Sequence, residues 1–342
     1  MRAIKTQLNV TDKIPLHECV PLKAPFVLAL EPSGLCNLRC RFCTHSVPAA
    51  LDSVLQRRSR VLMTDDVFNK IVGDLKEFDR PLKLIYFSQI GEPLLNKQLP
   101  DMINRLHKEK LTHKSTIFTN AIPLTEEMSL ALVDAGLTRI KISVNGLCSE
   151  DYKQNCDVAI DFERFVKQIA FLYKNKKNLI VQIKTIDMLL KPGDEERFYK
   201  IFGDVCDQID IELMFPIFDG VPYDDLYFQG SAKPASRYAS TLRGGKGCKI
   251  CALPFYRMAV AADGAVNLCY TDIADGNVME KSLKEVWEGD RRKNLLTNLL
   301  QQKFEGISEG CDKCVCGHEQ ADEKDNLYPY RNAILQRGLT HD

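Results

Sequence analysis

The sequence lacks an excess charge of either sign, a long apolar run and a secretion signal. Its 342 residues contain 46 Lys plus Arg and 46 Asp plus Glu, so global charge points neither to nucleic acid nor to an anionic membrane surface. The first residues, MRAIKTQLNV, do not form an apolar signal segment, and no later stretch approaches the roughly 20 apolar residues needed to span a bilayer. We therefore expect a cytoplasmic protein with no nucleic-acid or membrane partner.

The sequence also shows no internal repeat and no low-complexity tract, which argues against a repeat array or a disordered chain. Apolar residues make up 45% of the chain, enough for a substantial core. At roughly 150 residues per domain, the length predicts about two domains.

Cysteine, by contrast, is abundant, with 13 residues. Cytosolic reductants keep thiols reduced, so clustered cysteines in that compartment more often bind metal or perform chemistry than form disulfides. An early group and a late group stand out: Cys36, Cys40 and Cys43, then Cys248, Cys251, Cys269, Cys311, Cys314 and Cys316.

Apolar segments of strand length alternate with segments of helical period over residues 25–215. The predicted strands are residues 25–30, 84–88, 115–119, 139–144, 179–185 and 209–215. The predicted helices are residues 64–75, 97–109, 125–135, 161–175 and 194–204. Such alternation predicts a parallel sheet with its sites at the carboxyl ends of the strands. Six repeats fall short of the eight of a closed barrel, so we expect an open α/β fold, a partial (β/α)6 barrel.

The pattern changes after residue 215. Residues 216–247 are rich in Pro, Gly and aromatic side chains and predict a connecting segment. Asp263-Gly264, between two short alternating runs, is typical of a β-hairpin. A capping box at Ser282 and Glu285 predicts one helix over residues 282–300. The expected organisation is an N-terminal extension (1–24), the barrel (25–215), the connecting segment (216–247), a small α+β domain (248–320) and a tail (321–342).

The early cysteines, in CNLRCRFC, provide three thiols within eight positions directly after the first predicted strand. A structural zinc site takes four protein ligands, usually in CxxC pairs, so CxxxCxxC is a poor zinc signature. A cubane 4Fe-4S cluster has four irons that each want one further ligand. Three thiolates would leave one iron open for a ligand that the protein does not supply.

The segment Cys36-x3-Cys40-x2-Cys43, with Phe42 before the last cysteine, resembles the signature of radical S-adenosylmethionine (radical SAM) enzymes. The resemblance implies that the open iron is chelated by S-adenosylmethionine. It further implies that one electron cleaves this cofactor to methionine and a 5′-deoxyadenosyl radical, which removes a hydrogen atom from the substrate. A flavodoxin or ferredoxin-type electron donor is the implied partner.

Other segments resemble the cofactor-binding positions of this family. SQIGEPLL (88–95) resembles the Gly-Gly-Glu segment that receives the cofactor's ammonium group, with Gly91 and Glu92 matching and Ile90 replacing the first glycine. Polar residues that follow or end the third and fourth predicted strands resemble further cofactor contacts: Asn120, Ser143 and Asn145.

The late cysteines resemble the SPASM/Twitch extensions of the same superfamily, which implies one auxiliary 4Fe-4S cluster. The implied ligands are Cys251, Cys269, Cys311 and Cys314. Cys248 and Cys316 have no assigned role, and pairing Cys248-x2-Cys251 with Cys311-x2-Cys314 would instead make a zinc ribbon.

The sequence leaves the reaction open between oxidation and epimerisation. Oxidation requires a base near the auxiliary cluster, for which Tyr270 and Asp272 are candidates. At the position of Tyr270, peptide-oxidising relatives carry an acidic residue. Epimerisation wants a thiol, for which Cys148 and Cys206 are candidates, and a buried inert cysteine is the alternative for both.

About 24 residues before the barrel are too few for a folded domain that binds a leader peptide. We therefore expect a small polar substrate, sugar-like or aminocyclitol-like. The alternatives are a radical SAM enzyme that modifies ribosomal peptides or proteins, and a non-catalytic iron-sulfur or zinc protein.

Overall fold

The computed structural model describes residues 3–5, 14–43, 45–46, 60–88, 90–212, 249–269, 274–303 and 323–339. The strands in this part of the chain are β1 (Ile4–Lys5), β2 (Val27–Leu30), β3 (Leu84–Phe87), β4 (Ser115–Thr119), β5 (Arg139–Ser143), β6 (Ile180–Ile186), β7 (Gln208–Glu212), β8 (Arg257–Val260), β9 (Ala265–Asn267) and β10 (Ala274–Asn277).

The α-helices between and after these strands cover much of the remaining described chain. They are α1 (Leu16–Cys19), α2 (Asp65–Leu75), α3 (Leu99–Lys108), α4 (Glu126–Asp134), α5 (Ser149–Cys156), α6 (Phe162–Asn175), α7 (Asp194–Phe202), α8 (Leu253–Tyr256), α9 (Leu283–Glu288), α10 (Asp290–Leu300) and α11 (Arg331–Arg337).

The strands form one sheet in the order β1-β7-β6-β5-β4-β3-β2-β8-β9-β10. Strands β2 to β7 lie side by side in chain order and are all parallel, which confirms the predicted partial barrel. Successive right-handed crossovers in one direction keep the connecting helices on one face of such a sheet. Because the six strands run in the same direction, their carboxyl ends all lie at one edge of the sheet.

Side-chain alternation explains the two faces of the sheet. In β5, Ile140 and Ile142 are fully buried and alternate with the partly exposed Arg139, Lys141 and Ser143. Because successive strand residues point to opposite faces, the isoleucines lie on the apolar face that the helices cover. The polar residues line the opposite face, hereafter the inner face.

The predicted helix over residues 282–300 is wrong in one respect, because the structure has two helices there. Gly289 between α9 and α10 has extended backbone angles, φ −69° and ψ 154°, which end the first helix. The capping box of Ser282 and Glu285 is present at the start of α9 as predicted. Helix α5 was not predicted, because its sequence SEDYKQNC has no clear apolar period.

The C-terminal hairpin is part of the barrel sheet rather than a separate β unit. Strand β8 pairs in parallel with β2, with Leu28 opposite Met258, and then turns through Asp263-Gly264 into the antiparallel β9. The predicted hairpin is confirmed, and its union with the barrel is new. The predicted domain boundaries stay predictions, since residues 213–248 and 304–322 lie outside the described chain.

Helix α9 docks on the barrel through polar contacts in a buried setting. The indole Nε1 of Trp287 donates to the carbonyl of Leu22 at 2.8 Å. The Leu283 amide donates to the Asp74 carboxylate in α2 at 3.0 Å.

In the part of the chain that the structure describes, no helix has the length and apolar character needed to cross a membrane.

Candidate functional site

The three early cysteines lie on the loop that follows β2, at the edge where the parallel strands end. Cys40 is buried, and Cys36 and Cys43 are partly buried against the hydrophobic core. Phe42 packs against the same core. The loop is thus held between the end of β2 and the interior, as the sequence predicts for a site in a parallel-sheet protein.

Burial makes these thiols poor acids in the absence of a metal. It raises the pKa of Cys36 to about 11 and also raises the pKa of Cys43. A hydrogen bond with Cys156, followed by burial, raises the pKa of Cys40 well above its ordinary value. Thiolates at this site therefore require nearby positive charge, which the irons of a cluster would supply.

Two side-chain amides from neighbouring strand ends point at the sulfur atoms. Asn145 Nδ2 lies 3.5 Å from Cys40 Sγ. Asn120 Nδ2 lies 4.0 Å from Cys36 Sγ and donates to Asn37 Oδ1 at 2.9 Å. Such N–H groups are suited to thiolate sulfur. The structure thus brings both asparagines to the cysteine loop, where the sequence predicted cofactor contacts.

Glu92 is buried and joins two strand ends. Its carboxylate accepts hydrogen bonds from the Thr119 hydroxyl at 2.5 Å and from the amides of Asn120 and Leu94 at 2.7 and 3.0 Å. Burial raises the Glu92 pKa to about 7 despite these hydrogen bonds. In this arrangement the carboxylate positions the end of β4, and its predicted contact with the cofactor's ammonium group stays a prediction.

Gly91 is required by a close approach of two loops. A Cβ at this position would lie 1.9 Å from the Ser33 carbonyl oxygen and 2.7 Å from that of Leu35. The next residue continues the contact, because the Glu92 amide donates to the Leu35 carbonyl at 2.7 Å. The segment after β3 is therefore fixed against the start of the cysteine loop.

Of the other predicted residues of the barrel, Ser143 and Cys148 lie at the same edge and Cys206 does not. Ser143 is the last residue of β5 and is partly exposed. Cys148 occupies the N-cap position of α5 without a side-chain capping hydrogen bond and is partly exposed. Cys206 is buried away from this edge and donates to the Phe202 carbonyl at 3.2 Å, and burial raises its pKa to about 12. This surrounding favours the inert alternative for Cys206.

The predicted auxiliary ligands are described only in part. Cys251 precedes α8 and is partly buried against the core. Cys269 follows β9, and the hairpin register returns the chain toward the start of β8, the end of the hairpin that Cys251 precedes. The other predicted residues lie outside the described chain: Cys248, Tyr270, Asp272, Cys311, Cys314 and Cys316.

One residue at the site was missed by sequence reasoning. Cys156, at the end of α5, has its Sγ 3.4 Å from Cys40 Sγ, although the two residues are 116 positions apart. Its only sequence signal is that it is one of four cysteines outside the two groups. Nothing local in the sequence indicates its neighbour.

This fold and this cysteine loop define a known superfamily. A model of the Radical SAM superfamily matches residues 30–204, just over half of the chain. A model of an iron-sulfur cluster-binding domain, SPASM, matches residues 251–315. The chain belongs to the radical SAM superfamily and carries a C-terminal SPASM domain.

Individual relatives are more distant. The chain is 31% identical over 123 residues to the PqqA peptide cyclase of Bradyrhizobium diazoefficiens, covering 36% of this chain and 29% of that protein. It is 29% identical over 188 residues to the GTP 3′,8-cyclase of Aquifex aeolicus, covering 54% of each. The chain thus spans between 29% and 54% of the length of these two curated relatives.

A solved structure of native anSMEcpe with bound AdoMet is similar in fold. The TM-score is 0.58 at 19% sequence identity, and the alignment covers 91% of this chain and 96% of that chain. At this identity the likeness shows the fold alone.

The two domains imply S-adenosylmethionine, a 4Fe-4S cluster and auxiliary iron-sulfur clusters. The donor set fits the first cluster, because three thiols lie on one loop and two amides point at their sulfurs. Within the described ranges, no three His, Cys, Asp or Glu side chains converge as ligands of a single metal ion would. A cubane binds each thiolate to a different iron and needs no such convergence.

Proposed function

We propose that this protein is a radical SAM enzyme that oxidises or epimerises a small polar substrate, sugar-like or aminocyclitol-like. When bound, the reduced cluster and S-adenosylmethionine supply a 5′-deoxyadenosyl radical for hydrogen abstraction. Cys36, Cys40 and Cys43 would hold the cluster. Gly91, Glu92 and the strand-end residues Asn120, Ser143 and Asn145 would shape the cofactor's place at the carboxyl edge.

The observation that carries the substrate class is the polarity of the inner face. The Glu212 carboxylate lies between two lysines, with Lys141 Nζ 2.5 Å from Oε1 and Lys184 Nζ 2.5 Å from Oε2. Burial alone would raise the Glu212 pKa, but the charges of both lysines hold it below its ordinary value, so the carboxylate is ionised at neutral pH. A fixed carboxylate between two ammonium groups suits hydroxyl and amino groups of a small molecule.

Aromatic rings continue this face toward β3. Tyr86 and Phe118 form an edge contact with ring centroids 5.8 Å apart, and Lys141 Nζ lies 5.7 Å from the Phe118 centroid. An apolar surface beside a few placed charges is the usual composition of a small-molecule site. The similarity to a GTP cyclase agrees with a small, polar, hydroxylated substrate.

A peptide-modifying activity is the second candidate. The similarity to a PqqA peptide cyclase favours it, at comparable identity over a comparable length. The two candidates predict different hydrogen donors for the same radical chemistry. A deuterium-transfer experiment can therefore separate them.

We expect the anaerobically reconstituted protein, reduced with dithionite, to release 5′-deoxyadenosine from S-adenosylmethionine. Cys40→Ala should abolish this release, because the cluster loses one of its three thiolates. Cys269→Ala should retain part of it if the auxiliary cluster acts after hydrogen abstraction. Cys19→Ala, in α1, is the control thiol and should match the wild type. Stoichiometric zinc without iron in the wild type would contradict the proposal.

The substrate class is tested by transfer of deuterium into 5′-deoxyadenosine. Perdeuterated aminocyclitols and sugars should transfer deuterium, whereas perdeuterated synthetic peptides should not. Glu212→Gln should raise KM for an active compound on the order of ten-fold, which corresponds to the loss of one charged hydrogen bond. Deuterium transfer from peptides alone would instead establish the second candidate.

Oxidation and epimerisation differ in the fate of the substrate carbon. Epimerisation should introduce one solvent hydrogen into the product through a thiol, and Cys148→Ala should then stop turnover. Oxidation should give a product two hydrogens lighter that is insensitive to this substitution. The base for oxidation, Tyr270 or Asp272, would be tested by the same product assay.

A further inference from the structure

The loop that carries Cys40 is clamped to the last turn of α5. The Arg39 amide donates to the Cys156 carbonyl at 2.9 Å, and the Arg41 amide donates to the Asn155 carbonyl at 3.0 Å. The backbone on both sides of Cys40 is therefore fixed to one helix end. Small movements of that helix end would move this cysteine directly.

The same helix end places a thiol against the Cys40 sulfur. The Sγ atoms of Cys156 and Cys40 lie 3.4 Å apart, and Cys156 is fully buried. This distance is within reach of an S–H···S hydrogen bond. The Asn145 amide approaches the same sulfur at 3.5 Å, so two side-chain donors face one sulfur atom.

The second donor is itself held in place. Asn155 Nδ2 donates to the backbone carbonyl of Asn145 at 2.8 Å, and the backbone N–H of Asn145 donates to the Tyr152 hydroxyl at 3.2 Å. Tyr152 and Asn155 are both fully buried. Helix α5 thus orients the donors before any cofactor binds, which lowers the reorganisation needed when the sulfur becomes a thiolate.

We propose that Cys156 is a positioning residue whose thiol donates a hydrogen bond to the Cys40 sulfur and raises the reduction potential of the radical SAM cluster. This inference rests on the proposed function, since it needs the cluster at Cys36, Cys40 and Cys43. As an iron ligand Cys40 is a thiolate and has no hydrogen, so Cys156 must be the donor. Hydrogen bonds to cluster sulfurs stabilise the more negative, reduced state.

Cys40 differs from Cys36 in the number of side-chain donors that face its sulfur. Cys36 Sγ is approached by one described side-chain amide, Asn120 Nδ2, at 4.0 Å. Cys40 Sγ is faced by Cys156 at 3.4 Å and by Asn145 Nδ2 at 3.5 Å, so the effect of each donor can be measured by mutation. Cys156 can therefore be changed without altering any predicted iron ligand.

The test is a redox titration of anaerobically reconstituted full-length protein, followed by electron paramagnetic resonance. The signal of this cluster is the one that changes when S-adenosylmethionine is added. Cys156→Ala should bind as much iron and sulfide as the wild type. Its reduced-to-oxidised ratio at a fixed potential should fall by about three-fold, the size expected for one modest hydrogen bond. Cys156→Ser, which restores a donor, should recover part of this ratio.

Cys206→Ala is the matched control. Cys206 is equally buried, and its thiol is directed to the Phe202 carbonyl rather than to the cluster. This variant should titrate like the wild type. A thermal unfolding scan of each variant confirms that the fold is retained.

Two results would overturn the inference. An unchanged titration in Cys156→Ala would show that the thiol does not donate to the cluster. Loss of the cluster in both Cys156→Ala and Cys156→Ser, with the fold retained, would show that Cys156 is an iron ligand. Failure of the proposed function is a separate result, in which the wild type itself forms no cluster that responds to S-adenosylmethionine.

Discussion

Gly91 shows how a single hydrogen in place of a side chain can decide the position of a loop. The Cβ of an alanine would meet the backbone oxygen of Ser33 at 1.9 Å, and backbone cannot rotate away as a flexible side chain can. The loop after β3 and the start of the cysteine loop would have to separate. This contact explains why the glycine of the family's segment is present here although its neighbour is Ile90.

We expect Gly91→Ala to lower the free energy of unfolding by about 2 kcal/mol, as overpacking does, and to reduce iron binding. Urea denaturation and iron analysis would measure both effects. Gly73→Ala is the matched control, because Gly73 lies inside α2 with nothing within 4 Å of a Cβ. It should stabilise the protein by about 0.5–1 kcal/mol. Similar effects of the two substitutions would contradict the close approach.

Glu92 should make the stability of the cluster-free protein depend on pH. Its pKa is raised from 4.5 to about 7 by burial, so the folded state favours the protonated carboxyl. The resulting stabilisation is fully present below pH 4.5 and is lost as pH rises through 7. The loss is on the order of 3 kcal/mol.

Urea denaturation of the wild type and of Glu92→Gln between pH 4.5 and 8 tests this expectation. The difference in free energy of unfolding between the wild type and Glu92→Gln should change by on the order of 3 kcal/mol over that range, since glutamine does not titrate. Glu77→Gln removes an exposed carboxyl and is the control. Parallel stability curves for wild type and Glu92→Gln would show that the carboxyl is not held neutral.

At the scale of elements, one arginine joins three consecutive helices of the C-terminal region. The Arg292 guanidinium in α10 donates to the carbonyls of Pro254 and Phe255 in α8 and of Trp287 in α9, at 3.0–3.2 Å. It also lies over the Trp287 ring at 3.3 Å. Burial lowers its pKa to about 9, which still leaves it charged at neutral pH.

Arg292→Met should therefore cost on the order of 3 kcal/mol, because three carbonyls lose a charged donor in a buried setting. Lys167→Met, in α6, is the control. Lys167 and its partner Glu163 are both exposed, with their charged atoms 3.7 Å apart, and such a pair contributes about 0–1 kcal/mol. Chemical denaturation of both variants gives the comparison, and equal costs would refute the role assigned to Arg292.

At the scale of the whole molecule, the SPASM region and the barrel share one sheet. Strand β8 pairs with β2, and Trp287 in α9 donates to Leu22, which precedes the barrel. The chain has a single tryptophan, so its fluorescence reports on this contact. We expect both parts to unfold together.

Equilibrium unfolding of the cluster-free protein should show coincident transitions by tryptophan fluorescence and far-ultraviolet circular dichroism. Trp287→Phe should remove the fluorescence change and leave the circular dichroism transition as the control signal. A fluorescence transition at clearly lower urea would show that the C-terminal region unfolds independently of the barrel.

The sequence by itself determined the order of the six barrel strands, the parallel sheet, the hairpin at Asp263-Gly264 and the three-cysteine loop. Each of these depends on local periodicity, turn residues or short spacing, which can be recognised from neighbouring residues alone. The sequence did not predict helix α5 or the division of the last predicted helix at Gly289, because neither has a strong local pattern.

Only the tertiary structure decided which distant groups meet. It placed Cys156 and Asn145 at the Cys40 sulfur, joined Glu92 to the end of β4 and paired β8 with β2. These contacts join residues tens to hundreds of positions apart. They arise from the packing of whole strands and helices, so no stretch of the chain encodes them alone.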